Sequence, residues 1–95
     1  MKTEWTINVH YLNKQYSLKT LLEYHSTQIM RIRVKGKFND LLFENNYPAL
    51  KAKNSKKGIK WKLKEGRLTD VNHKSTLLIT HILQELEYTI KHDFI

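Results

Sequence analysis

Apolar and polar residues alternate with a period of two over most of the first 65 positions, and a different rhythm takes over near the end. In "EWTINVHY", Trp5, Ile7, Val9 and Tyr11 fall on one face and Thr6, Asn8 and His10 on the other. This pattern predicts a half-buried strand over 3–11. "LNKQ" follows as a polar turn, and Tyr16, Leu18, Leu22 and Tyr24 then alternate with Ser17, Lys19 and Glu23 as the second arm of a hairpin. Leu18, Leu21 and Leu22 also fit a helical stripe with Ser17 as its cap, so a helix competes here. The strand is preferred, because Leu21 alone breaks the alternation.

"HSTQ" marks the next turn, and "IMRIRVKGK" repeats the two-residue rhythm with Met30, Ile32 and Val34 on one side and Arg31, Arg33 and Lys35 on the other. After the punctuation "GKFND", the apolar run "LLFEN" predicts a short, more deeply buried fourth strand. Residues 45–58 lose all periodicity. Pro48 removes a backbone donor and "NSKKG" resembles an exposed tip, so this stretch is expected to be a long basic loop. "IKWKLKEG" is the fifth strand, with Ile59, Trp61 and Leu63 inward and Lys60, Lys62 and Lys64 outward. Leu78, Ile79, Ile82, Leu83, Leu86 and Ile90 then recur at spacings of three and four, the signature of an amphipathic helix, with Asp70 or Asn72 as its cap.

Strands first and a helix last predict an α+β fold: an antiparallel sheet of four to five strands with one C-terminal helix packed on one face. At 95 residues, without a low-complexity tract, the chain is expected to be a single domain over 1–95. Ten aromatic residues and 40% hydrophobic content supply a modest core. The absence of cysteine excludes disulfides and thiolate metal sites. "MKTEWTINVH" lacks the apolar run of a signal peptide, and the longest aliphatic run, "LLI" at 77–79, is far below the ~20 residues of a membrane span. A cytoplasmic protein with no membrane contact is expected.

Charge changes this picture more than composition does. Residues 1–67 carry net +10 and residues 68–95 net −2, with +7 concentrated in the 17 residues from 51 to 67. The outward positions of "MRIRVK" and "IKWKLK" form two matching cationic ladders: Arg31, Arg33 and Lys35, and Lys60, Lys62 and Lys64. If these strands are neighbours, like charges stand opposite one another, a cost that a bound polyanion relieves. Lys51, Lys53, Lys56 and Lys57 in the loop extend the track as further phosphate contacts, so nucleic acid or another polyanion is the expected partner. Lysine also protects edge strands and keeps small proteins soluble, which is the plainer explanation of the same residues. Tyr16, Tyr24 and Trp61 are assigned to the core face, which leaves Tyr47 as the one candidate for base stacking.

Catalytic chemistry finds little foothold. Of His10, His25, His73, His81 and His92, no two stand three or four apart on the helix as a metal pair requires, so they are read as solvated. His81 and Glu85 are one helical turn apart and form a local contact at most. No nucleophile motif occurs, and Gly36, Gly58 and Gly66 are too scattered to cradle a nucleotide phosphate. The chain is expected to use no cofactor or metal and to be no enzyme. The alternative to polyanion binding is a protein-interaction or structural domain, homodimeric through a strand edge or the outer side of the helix, where Leu77 and Tyr88 lie.

Asn46, Pro48, Trp61, Lys62, Glu65 and Gly66 carry a cadence of Asn-x-Pro, Trp-Lys and Glu-Gly before a terminal helix. It resembles that of small uncharacterised bacterial proteins, a resemblance over about a third of the chain that implies no activity and no site residues. Four strands and a helix also resemble the layout of the Whirly group of single-stranded DNA-binding proteins, in arrangement and not in motif, so no residue is carried over.

Overall fold

The computed structural model describes residues 3–11, 13–35, 40–66 and 73–93. Five strands, β1 (Glu4–Tyr11), β2 (Lys14–His25), β3 (Met30–Val34), β4 (Leu41–Asn45) and β5 (Trp61–Glu65), form one sheet in the order β1-β2-β3-β4-β5, each antiparallel to its neighbours. A six-residue helix α1 (Tyr47–Ala52) lies between β4 and β5, and α2 (His73–Asp93) follows the sheet. The fold is therefore α+β, a meander with a C-terminal helix on one face.

Alternation decides which side of the sheet meets α2. Trp5, Ile7 and Val9 of β1, Met30, Ile32 and Val34 of β3, and Leu41 and Phe43 of β4 are all buried on the helix-facing side. Ile82, Leu86 and Ile90 of α2 complete the cluster, spaced at four so that they project from one side of the helix. Burying each such side chain contributes about 1.5–3 kcal/mol, whereas an exposed ion pair contributes about 0–1 kcal/mol. Stability therefore resides on the helix side and leaves the outer face open to other uses. Thr20 and Asn45 are the buried polar residues among those described; the Thr20 hydroxyl donates to the Trp5 carbonyl at 2.8 Å, so its burial costs little.

The hairpin of β1 and β2 is longer than the sequence pattern suggests. Pairing continues to Tyr11 opposite Lys14, so Lys14 and Gln15 belong to the strand and not to a turn. Asn13 takes φ 60°, the left-handed conformation that a tight hairpin turn demands and that asparagine tolerates. The stretch 16–24 is strand and not helix. At "HSTQ" the chain turns as expected, the Ser26 hydroxyl accepting the amides of Gln28 and Ile29 at 3.1 Å each. The expected caps Asp70 and Asn72 and the punctuation at 36–39 lie outside the described residues, as does the side chain of Leu77.

The expected basic loop at 45–58 is in part a helix. Pro48 sits in the first turn of α1, where its missing N–H costs nothing. Two consecutive asparagines then secure the segment. The Asn45 side-chain oxygen accepts the Tyr47 amide and that of Asn46 accepts the Lys60 amide, both at 2.9 Å. Tyr47, Ile59 and Trp61 pack against the core, so α1 is docked on the fold. Trp61 meets Phe43 edge-on at 6.3 Å and donates its indole N–H to Glu87 of α2 at 2.8 Å, tying β5 to the helix.

Candidate polyanion interface

The two cationic ladders share the outer face of the sheet but are not neighbours, because β4 runs between them. Across the sheet, Arg31 stands opposite Glu44, and Glu44 opposite Lys62. Like charges are thus interleaved with an acid, and the direct repulsion that adjacent ladders would bring does not arise. The next row is Leu21, Arg33, Leu42 and Glu65.

This order neutralises the β3 ladder. Arg31 donates to Glu44 at 2.9 Å. Arg33 holds Glu23 through two nitrogens and Glu65 through Nη2 at 2.8 Å, and Lys35 pairs with Asp40 at 3.1 Å. To reach Glu65 from β3, the Arg33 side chain crosses β4 at Leu42. Leu42 is accordingly only 7% exposed although it points away from the core. Arg31, Arg33 and Lys35 are therefore each paired with acids.

The carboxylates record the same arrangement. Arg33 hydrogen bonding holds the Glu23 carboxyl below its ordinary pKa, and its guanidinium is correspondingly raised by Glu23 and Glu65. Glu44 is lowered chiefly by its hydrogen bond from Arg31, with Lys64 and Lys62 adding attraction. A lowered folded-state pKa means that the stabilising contribution is full above the unfolded value and is lost as pH falls through the folded one. Below about pH 4 the wild-type protein should therefore lose stability faster than an E23Q/E44Q variant, which has no such carboxylates to protonate. Urea midpoints at pH 7 and pH 3 check this; equal losses in the two proteins would contradict the pairing.

Surplus positive charge lies on β5 and at the residue just before it. Lys60, Lys62 and Lys64 are exposed and form no salt bridge among the described residues. Lys62 and Lys64 attract Glu44, which is already bonded to Arg31. The register between β4 and β5 shifts between Leu42 and Phe43, which lets Lys64 as well as Lys62 act on Glu44.

A second irregularity changes the aromatic inventory of this face. The β2–β3 register shifts between Leu22 and Tyr24, so Leu22 pairs with Ile32 on the core side while Tyr24 pairs with Arg31 on the outer side. Tyr24, expected in the core, is instead 47% exposed, with the Arg31 guanidinium 5.2 Å from its ring centre. Alternation alone cannot reveal a bulge, which resets the face without any change in composition. Trp61 stays on the core side as expected.

Lys51, Lys56 and Lys57 go elsewhere. With Tyr47, Ile59 and Lys91 of α2 they line a concavity of about 310 Å³ on the helix side of the sheet, the side opposite Lys60 and Lys62. The expected continuous track of ten cations is thus divided between two surfaces. Lys91 was not foreseen at all: it belongs to the acidic C-terminal part of the sequence, and only the docking of α2 brings it to the loop lysines. Lys53, at the C-cap of α1, is exposed and outside this lining. Tyr47, the expected stacking residue, is half-buried in the wall of the concavity.

Among the described residues no group of three or more His, Asp or Glu side chains is placed to hold a metal ion, and no helix is long and apolar enough to cross a membrane. No family model, curated protein or solved structure matches this chain.

Proposed function

We propose that the protein is a small non-catalytic binding module of the cytoplasm that engages single-stranded nucleic acid, or a polyanion of similar spacing, through the outer face of its sheet. The observation that carries this reading is the contrast between the two ladders: the β3 cations are paired with acids, whereas Lys60, Lys62 and Lys64 are exposed without an ion-pair partner among the described residues. Three surplus lysines along one strand suit a phosphate backbone, which rewards neutralisation by releasing its counterions. Tyr24 supplies the exposed ring for a base to stack on, about two strand spacings of ~5 Å each from β4. Such contacts position a strand without reading its sequence.

Fluorescence anisotropy against single-stranded DNA, duplex DNA and RNA tests the reading. Binding at low salt is expected to favour single strands and to weaken with a log–log salt slope of about −2 to −3, as three to four phosphate contacts require. Absence of binding at low salt would remove the proposal. The second reading, a homodimer through the outer side of α2, draws on Tyr88, which is 63% exposed where it stacks on His92 at 4.2 Å. Light scattering that returns the mass of one chain removes it.

A further inference from the structure

We infer that β1 is a dimerisation edge: two copies of the chain join antiparallel along it into one continuous sheet, through an interface separate from the lysine ladder of β5 and from the outer side of α2. Among the described residues the sheet ends at β1 on one side and at β5 on the other. The two edges are built differently. β5 has five residues, a shifted register against β4 and exposed lysines at 62 and 64, all devices that discourage pairing with another chain. β1 has eight residues in an unbroken register with β2, no proline and no lysine, and its one acid, Glu4, is bonded to Lys19 at 2.7 Å. A long, flat edge without such devices is a template for a further strand.

The phase of the hydrogen bonds fixes which residues are available to that strand. The Leu22 amide donates to the Thr3 carbonyl at 2.8 Å, so Thr3 and every second residue after it bond toward β2. The backbone groups of Glu4, Thr6, Asn8 and His10 therefore point to the open side, and all four side chains are exposed. A two-fold axis at Ile7 matches these four completely: Glu4 stands opposite His10 of the second copy, and Thr6 opposite its Asn8. A shift of two residues in either direction carries Glu4 or His10 past the end of the partner strand. The match is chemical as well. A carboxylate meets an imidazole at both ends, and the Asn8 side-chain oxygen already accepts the Ser17 hydroxyl at 2.8 Å, which leaves Nδ2 to donate to the threonine hydroxyl. The matched residues exchange about eight backbone hydrogen bonds, and the two-fold closes the assembly at two copies. Trp5, Ile7 and Val9 stay under α2, and β5 remains the outer edge of each copy.

Sedimentation velocity of the chain alone, over about 5 to 500 μM, tests this interface. A one-strand interface is at the small end of specific ones, so the mass is expected to rise toward that of two chains with a dissociation constant on the order of 10–100 μM. T6K/N8K sets like charges opposite one another on both sides of the axis and is expected to keep the mass of one chain. T6E/N8E should do the same although it lowers the net positive charge, which separates local repulsion from overall repulsion. Mixed in equal amounts, the two variants are expected to associate at least as tightly as wild type, a result that misfolded variants would not give. Wild type with the mass of one chain throughout, T6K/N8K that dimerises like wild type, or mixed variants that stay apart would each overturn the interface. Y88A and K60Q/K62Q/K64Q are expected to dimerise as wild type does, and loss of the dimer in Y88A would overturn the assignment to β1. No nucleic acid enters the measurement, so failure of this inference and failure of the outer-face proposal are distinguishable.

Discussion

Replacing Phe43 with alanine is expected to destabilise the protein by about 3–5 kcal/mol, measured as a fall in urea midpoint at unchanged slope. Phe43 is 1% exposed in β4, paired with Ile32 on one side and Leu63 on the other, and Trp61 meets its ring edge-on. Truncation removes the apolar area and leaves a void that a sheet held from both sides closes poorly. It also takes away the surface against which Trp61 is oriented toward Glu87, so the link between β5 and α2 weakens with it. For a domain of this size, whose total stability is on the order of 5–10 kcal/mol, that is a large fraction. F43L, which keeps an apolar side chain, should cost much less, about 1–1.5 kcal/mol. Similar losses for the two variants would show that the ring's shape and its contact with Trp61, not the void, dominate.

The second large effect concerns binding. A K60Q/K62Q/K64Q variant is expected to reduce the salt slope for single-stranded DNA by about 2 and, by extrapolation from molar salt, the affinity at ~0.1 M salt by about 100-fold. Its stability should change by no more than about 0.5 kcal/mol, because these side chains are exposed and make no salt bridge among the described residues. The opposite profile is expected of R33Q. There the affinity changes little, while stability falls as Glu23 and Glu65 lose their common partner and Leu42 its cover. A triple variant that binds as tightly as wild type would place the anionic partner elsewhere or remove it.

The four acids that pair with the β3 cations explain why the ladders seemed equivalent in the sequence and are not equivalent in the fold. Glu23, Asp40, Glu44 and Glu65 are scattered over 43 positions, and none lies within either basic hexapeptide except at its margin. Pairing of strands brings Glu44 beside Arg31, and the long Arg33 side chain spans β4 to collect Glu65. Local spacing contains no information about such partners. The same holds for Tyr24, whose face depends on one extra residue in a ladder, and for Lys91, which reaches the loop lysines because α2 docks on the sheet. α1 was concealed differently: six residues are too few to display a helical period, and Pro48 looked like a loop signal although it suits a first turn.

By itself the sequence determined the five strands, the C-terminal helix and most of their inward faces. β1, β3, β4, the turn at Ser26–Ile29 and the apolar stripe of α2 were legible, because a strand or helix imposes its period on neighbours along the chain; of the expected inward residues of β5, Ile59 and Trp61 pack on the core whereas Leu63 is exposed. It also determined where positive charge is dense. Tertiary structure alone decided which of that charge is free to act. Whether a lysine or arginine faces an acid, an aromatic ring or a concavity depends on strand order, bulges and helix docking. Those are relations between residues far apart in the chain, set by the burial of a common core and not by local spacing.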